Sequence, residues 1–217
     1  MNAWLSKFWR ENRSFFVFIA LMLVFRSAVA DWSQVPTGSM KPTIIEGDRI
    51  IIDKLAYDLR LPFTAISLLP LAEPQRGDIV VFDSAAADKT LVKRVIGLPG
   101  DTVAMTNNRL ILNGVAVDYH DIEQADDAVV AVEALAGIRH RVRWTNTAPS
   151  HYQSFGPVHI PAGYYLMLGD NRDNSADSRV IGLVPRHELR GRSQTVAFSL
   201  DYDDAYLPRT ERFWQPL

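Results

Sequence analysis

The chain has 217 residues, with 23 Lys and Arg against 25 Asp and Glu for a net charge of −2, and it contains no cysteine. That length supports one sizeable domain, or a core domain carrying a smaller one. Near-neutrality lacks the basic footprint of a nucleic-acid binder, so no nucleic-acid partner is expected, and the absence of cysteine removes disulfides, thiolate metal sites and a thiol nucleophile.

Residues Phe15 to Ala30 read FFVFIALMLVFRSAVA, preceded by Lys7, Arg10 and Arg13 with only Glu11 opposing them. Basic residues ahead of an apolar run place the N-terminal tail on the cytoplasmic side. The uninterrupted run, Phe15 to Phe25, ends at Arg26 and is short against the about 20 residues of a spanning helix. Two readings compete. Ala28-Val29-Ala30 before Asp31 has the small-x-small pattern of a signal-peptide processing site. Against it, an arginine so close to that site is out of place in a signal peptide, and Arg26 can snorkel to the headgroups. Trp9 and Trp32, if both lay along one helix, would be roughly 35 Å apart, enough to seat at both interfaces of a core about 30 Å thick. The expectation is one N-terminal transmembrane helix with its tail in residues 1–32, in the cytoplasmic (inner) membrane. Residues 33–217 would then lie outside the cytoplasm or in a periplasm.

From Val35 onward, short apolar and β-branched runs are separated by Gly, Pro, Asn and Asp, which predicts a mostly β domain. Predicted strands are Arg49 to Lys54, Asp78 to Phe82, Leu91 to Ile96, Thr102 to Met105, Leu110 to Leu112, Ala162 to Leu168 and Gln194 to Ser199. Asn113-Gly114 is a tight hairpin signal. Tyr57 to Pro74 carries many apolar residues, among them Phe63 and Leu68; the first expectation is a loop covering the core, the second an apolar edge resting on a bilayer. Asp118 to Pro157 is acidic early, then basic from Arg139 to Arg143, with few strand runs. It is read as the body of an inserted β subdomain within residues 107–160.

Two segments explain each other chemically. In Pro36-Thr37-Gly38-Ser39-Met40 an extended backbone puts the Thr37 and Ser39 hydroxyls on one face. A serine nucleophile needs a base and donors for its oxyanion, and the Ser39 N–H with the Thr37 hydroxyl can be those donors. Alone, the pentapeptide is equally ordinary turn chemistry. Lys93, in the run Leu91 to Ile96, shares its strand face with Leu91 and Val95. Burial there disfavours the ammonium and prepares a neutral amine that can take a serine proton. The histidines His120, His140, His151, His159 and His187 fall in no metal or triad motif and are read as surface or structural. Asp170 to Asn174 departs from a calcium loop at its third, sixth and closing positions. No metal and no cofactor are expected.

The segments PTGSMKPTI followed by EGD, RGDIVVF, LVKRVIGLPGD and GDNRDNSADSR, in that order, resemble the successive motif boxes of bacterial type I signal peptidases. The resemblance implies a β-rich extracytoplasmic serine endopeptidase that removes signal peptides from exported preproteins after an Ala-x-Ala-like site, with membrane lipid as a further partner. It implies Ser39 as nucleophile and Lys93 as general base, Ser175 orienting the lysine, and Thr37 as oxyanion hydroxyl. Asp177 and Arg179 would brace the site, with Arg94 adjacent. Thr37 stands where these enzymes often have serine, and a second membrane span is missing. Alternatives are a relative that matures one dedicated substrate, or a membrane-anchored β domain that binds peptides without cleaving them. Nothing in the chain specifies an oligomeric state.

Overall fold

The computed structural model describes residues 3–124, 127–145 and 151–217. A continuous apolar run, Ile79 to Phe82, opens the central strand Ile79–Ser84 and is buried on both faces. Ile79 and Val81 pack with Val35, Met40, Ile44, Ile50, Ile52 and Val196. Val80 and Phe82 point the other way, into a second cluster with Tyr57, Val95, Tyr165, Met167 and Leu189. The period-two alternation of the strand thus serves two cores at once.

Around it an antiparallel sheet runs in the order Ala30–Gln34, Asp48–Asp53, Leu189–Asp201, Ile79–Ser84, Lys89–Gly97, Tyr164–Leu168 and Val184–Pro185, with two short C-terminal strands on Leu189–Asp201. A third cluster, Ile96, Leu166 and Leu168 with Val103, Met105, Leu110, Leu135 and Ile160, joins it to the rest. That rest includes a four-stranded sheet, Phe155–His159, Thr102–Thr106, Arg109–Leu112 and Val115–Ala116. Asn113 and Gly114 make its tight turn with φ of 53° and 80°, the positive pair a type I′ turn needs.

The segment from Asp118 holds more regular structure than its sequence suggests. Asp118–Gln124, Ala128–Leu135 and Ile138–Thr145 form a three-stranded antiparallel sheet. Charges on its exposed face, where Val130 opposes both Glu123 and Arg143, dilute the apolar pattern that marks strands elsewhere. The Tyr57 to Pro74 stretch packs on the core at Tyr57 but leaves most of its apolar residues outside it. It folds as a hairpin, Asp58–Arg60 with Ser67–Pro70, and Phe63 at its turn is 68% exposed, with Leu59, Leu61, Ile66, Leu68, Leu69 and Leu71 exposed beside it.

The N-terminal helix spans Ala3–Ala28. No helix among the described residues is long and apolar enough to cross a membrane, since Lys7, Arg10, Glu11 and Arg13 occupy its early turns and Arg26 its last. Trp32 does not continue this helix; it lies in the strand Ala30–Gln34. Arg26 is not a free snorkelling cation either. It donates two hydrogen bonds to Asp31, at 3.0 and 2.7 Å, and lies 4.0 Å over the Trp32 ring.

Candidate active site

Ser39 sits in a single 3₁₀ turn, Gly38–Met40, entered from an extended Thr37 with φ −133° and ψ 152°. Gly38 and Met40 are buried, which seats the turn on the core. Its carbonyls are clamped from across the fold: Asn171 donates its backbone N–H to the Ser39 oxygen at 3.1 Å and its Nδ2 to the Gly38 oxygen at 3.0 Å.

Lys93 comes from the strand Lys89–Gly97, directly opposite Val80 in the ladder, and only 2% of it is exposed. Its Nζ donates to Ser39 Oγ at 2.8 Å and to the Val92 carbonyl at 2.9 Å. Burial lowers its pKa to about 8, although the Asp177 and Asp170 carboxylates pull the other way. A lysine with that pKa is partly neutral at neutral pH, and only the neutral amine can accept a proton.

Of the other expected residues, Asp177 and Arg179 do form a pair. Arg179 Nε and Nη2 meet the two Asp177 oxygens at 2.8 and 2.7 Å. Asp177 also accepts from the Gly169 N–H at 3.0 Å, and Arg179 reaches the carbonyls of Arg172 and Tyr152 at 2.6 and 2.8 Å. Arg94 is not part of that brace. It grips Asp170 bidentately at 2.8 and 2.7 Å, and Thr43 Oγ1 donates to the same carboxylate at 2.6 Å. Burial pushes the Asp170 carboxyl up, but Arg94 holds it below the usual range. Thr37 is exposed on the groove wall. Ser175 is buried, and its hydroxyl has no hydrogen-bond partner among the described residues, so the expected bond from Ser175 to the lysine is not formed. It nevertheless lies close. A Cβ on Gly169 would stand 2.3 Å from Ser175 Oγ and 2.5 Å from the Ser39 carbonyl, so the approach of these two serine segments requires glycine between them.

Sequence reasoning missed Asn171 as the clamp and Asp170 as the partner of Arg94, and missed a buried network behind them. Arg172 Nη2 meets Glu133 at 2.7 Å, His140 Nε2 lies 3.2 Å from the same carboxylate, and the Tyr119 hydroxyl donates to it. The available signal was the density of polar groups in Asp170 to Asn174, which reads as a metal loop until its partners are known.

A groove of about 540 Å³ opens at Ser39 and Lys93. It is lined by Ser33 to Thr37, Lys89 to Val92 and Asp173 to Ala176, with Tyr152 and Val180. Along the strand Lys89–Gly97, Tyr164–Leu168 pairs only with Arg94 to Gly97, so Lys89 to Lys93, paired on one edge with Ile79–Ser84, has no strand on its other edge among the described residues. A serine hydroxyl thus touches a buried amine beside that edge, a pairing of the kind on which the serine hydrolase class relies.

Comparison with known proteins narrows this class. The family model described as signal peptidase, peptidase S26, matches residues 8–198. A signal peptidase I of Pseudomonas fluorescens is 36% identical over 206 residues, covering 87% of this chain and 72% of its own. One from Pseudomonas aeruginosa is 37% identical over 204 residues with the same coverage. A crystal structure of a signal peptidase I from Enterococcus faecalis, 27% identical, covers 56% of this chain and 97% of its own with a TM-score of 0.37. The chain belongs to the signal peptidase family, peptidase S26, and is a serine endopeptidase of signal-peptide processing.

Proposed function

We propose that the chain removes N-terminal signal peptides from exported preproteins after an Ala-x-Ala-like site, with Ser39 as nucleophile and Lys93 as general base. The observation that carries this reading is the 2.8 Å contact between Lys93 Nζ and Ser39 Oγ at a lysine that burial has stripped of water. The substrate adds as a strand along the free edge of Lys89 to Lys93, so main-chain hydrogen bonds hold it and alternate side chains face the groove wall. Two small residues in alternate positions fit such a seat. Ser39 Oγ attacks the scissile carbonyl while neutral Lys93 takes its proton, then passes it to the leaving amine. The Ser39 N–H and the Thr37 hydroxyl receive the oxyanion. Lys93 then draws a proton from the water that releases the acyl group. Ser175 orients the lysine once substrate has closed the site, Asp177 with Arg179 braces the floor, and Arg94 acts through Asp170. No step calls for a cofactor.

The reading includes the location. The N-terminal helix is a single-pass anchor within residues 1–32, and residues 33–217 form the extracytoplasmic peptidase, with residues 107–160 as its inserted subdomain. The groove residues Ser33 to Thr37 continue the strand that follows the helix, which supports a site near the membrane surface. The exposed hairpin at Phe63 and Leu68 supplies an apolar edge for lipid. In a chain beginning at Val29, Phe63→Asp with Leu68→Asp is expected to reduce co-sedimentation with phospholipid vesicles several-fold. Unchanged sedimentation removes the lipid contact.

The test of the activity is direct. Purified protein is incubated with a labelled preprotein beside Ser39→Ala and Lys93→Ala, and the new N-terminus is sequenced. Cleavage after an Ala-x-Ala site by the unmodified chain alone is the expected result. Cleavage by either variant at the same rate rejects the dyad.

A further inference from the structure

The inserted sheet, Asp118–Gln124, Ala128–Leu135 and Ile138–Thr145, turns one face inward. Ala131, Leu135 and Val142 on that face are fully buried. So are Glu133 and all but 8% of His140, which stand directly opposite each other in the ladder. Burying two polar side chains in an apolar stripe costs desolvation that a valine or leucine would avoid. Docking the sheet therefore does not account for them.

Their partners belong to one short segment, Asp170, Asn171 and Arg172. Arg172 Nη2 reaches Glu133 at 2.7 Å, and His140 Nε2 lies 3.2 Å from Glu133 Oε1 and 4.0 Å from Asp170 Oδ1. The backbone joins the same two pieces. The Arg143 N–H donates to the Asp170 carbonyl at 2.8 Å and the Arg172 N–H to the Arg143 carbonyl at 2.7 Å, a parallel bridge of Arg143 with Asn171. Asn171 in turn holds the carbonyls of Gly38 and Ser39. At the start of the same strand, Ile138 packs so closely on Gly77 that a Cβ there would lie 2.7 Å from its Cδ1. The Gly77 carbonyl accepts from Arg94 Nη1 at 2.9 Å. The strand Ile138–Thr145 thus reaches Asp170 directly, Arg94 through Gly77, and the Ser39 turn through Asn171.

We propose that the inserted sheet positions the nucleophile, with His140 as the positioning residue. The imidazole spans two buried carboxylates that would otherwise repel each other, and with a proton on Nε2 it attracts both. It makes no aligned hydrogen bond among the described residues, so its hold is electrostatic. Asp170 is kept against Arg94, the Asp170 to Arg172 backbone keeps its register on Arg143, and Asn171 carries that register to the Ser39 turn. None of the groove-lining residues belongs to the sheet, so its effect is on geometry and not on substrate contact. The proposal rests on the Ser39–Lys93 peptidase reading above.

Loss of the imidazole strands no charge, because Glu133 keeps Arg172 and Asp170 keeps Arg94. Stability and positioning can therefore be separated. The full chain in detergent is compared with His140→Leu, His140→Gln and His140→Asn, by urea unfolding and by kcat and KM on a labelled preprotein. Glutamine brings an amide nitrogen near the place of Nε2, whereas asparagine stops near that of Nδ1. Expected for His140→Leu is an unchanged urea midpoint with kcat down about ten- to a hundredfold and KM within about twofold, as suits a small misplacement of the attacking group. His140→Gln should recover most of kcat and His140→Asn should not. Full kcat in His140→Leu overturns the proposal, and so does equal kcat in the Gln and Asn variants, or a loss that follows the urea midpoint. If His140→Leu does not fold, the contrast between Gln and Asn decides. A preprotein left whole by the unmodified chain overturns the peptidase reading itself, and this proposal with it; once the unmodified chain cuts, the variants judge His140 alone.

Discussion

Lys93→Met is expected to abolish preprotein cleavage, a fall of about 10²- to 10⁴-fold or more in kcat/KM, and at the same time to stabilise the fold at neutral pH. The two effects share one cause. Burial lowers the Lys93 pKa from 10.5 to about 8, so the folded state binds this proton more weakly than the unfolded chain does. Above pH 10.5 the amine is neutral in both states and costs nothing through protonation. As pH falls from 10.5 to about 8 the unfolded state gains a proton that the folded state resists, and below about 8 the full penalty stands. Its size is of the order of 3 kcal/mol. Methionine has a similar unbranched stem and no charge to desolvate, so its stabilising effect should be present at pH 7 and shrink toward pH 10.5. Denaturant unfolding at the two pH values checks the sign, and a stability gain that does not shrink with pH contradicts it. The same pKa predicts that kcat/KM of the unmodified chain climbs with pH and levels off above about 8. A profile flat from pH 6 to 9 assigns the proton to another group.

Glu133→Ala is expected to cost about 3–5 kcal/mol of stability. Glu133 and Arg172 are both fully buried. Burial pushes the Glu133 carboxyl up, yet Arg172 and His140 hold it far below the usual range. Removing the carboxylate leaves the guanidinium uncompensated in a fully buried site, where Arg172 Nε and Nη1 already have no partner among the described residues. The loss should also reach the active site, because Arg172 is the neighbour of Asn171, which holds the Ser39 turn. Glu133→Gln combined with Arg172→Met should be less damaging than the sum of the single changes, since no charge is stranded. Urea unfolding of the four proteins measures this directly. Strict additivity would mean that the pair is not coupled.

How far the sequence discloses this molecule differs from element to element. The strand Ile79–Ser84 was legible because burial on both faces leaves a plain apolar run. The Asn113-Gly114 turn was legible because its positive φ pair limits the residue types. Ala128–Leu135 was not, since it hides a buried glutamate inside an apolar strand, and one charge in the pattern looks like solvent exposure until the partner is seen. Arg172 lies 39 positions from Glu133, and no local periodicity reports an ion pair at that distance. The same holds for Arg94 and Asp170, 76 positions apart.

By itself the sequence determined the chemistry on offer: a hydroxyl at Ser39, an amine at Lys93 on an apolar strand face, no thiol, and a β-rich chain behind a basic-flanked apolar helix. These follow from side-chain identity and period-two patterning, which are local properties. Tertiary structure decided what those groups touch. It placed Lys93 Nζ 2.8 Å from Ser39 Oγ, gave Arg94 the Asp170 carboxylate as its partner, and tied the Val29 carbonyl to the Lys54 N–H. Each depends on desolvation and on partners supplied by distant strands, and neither can be read from a residue's neighbours in the chain.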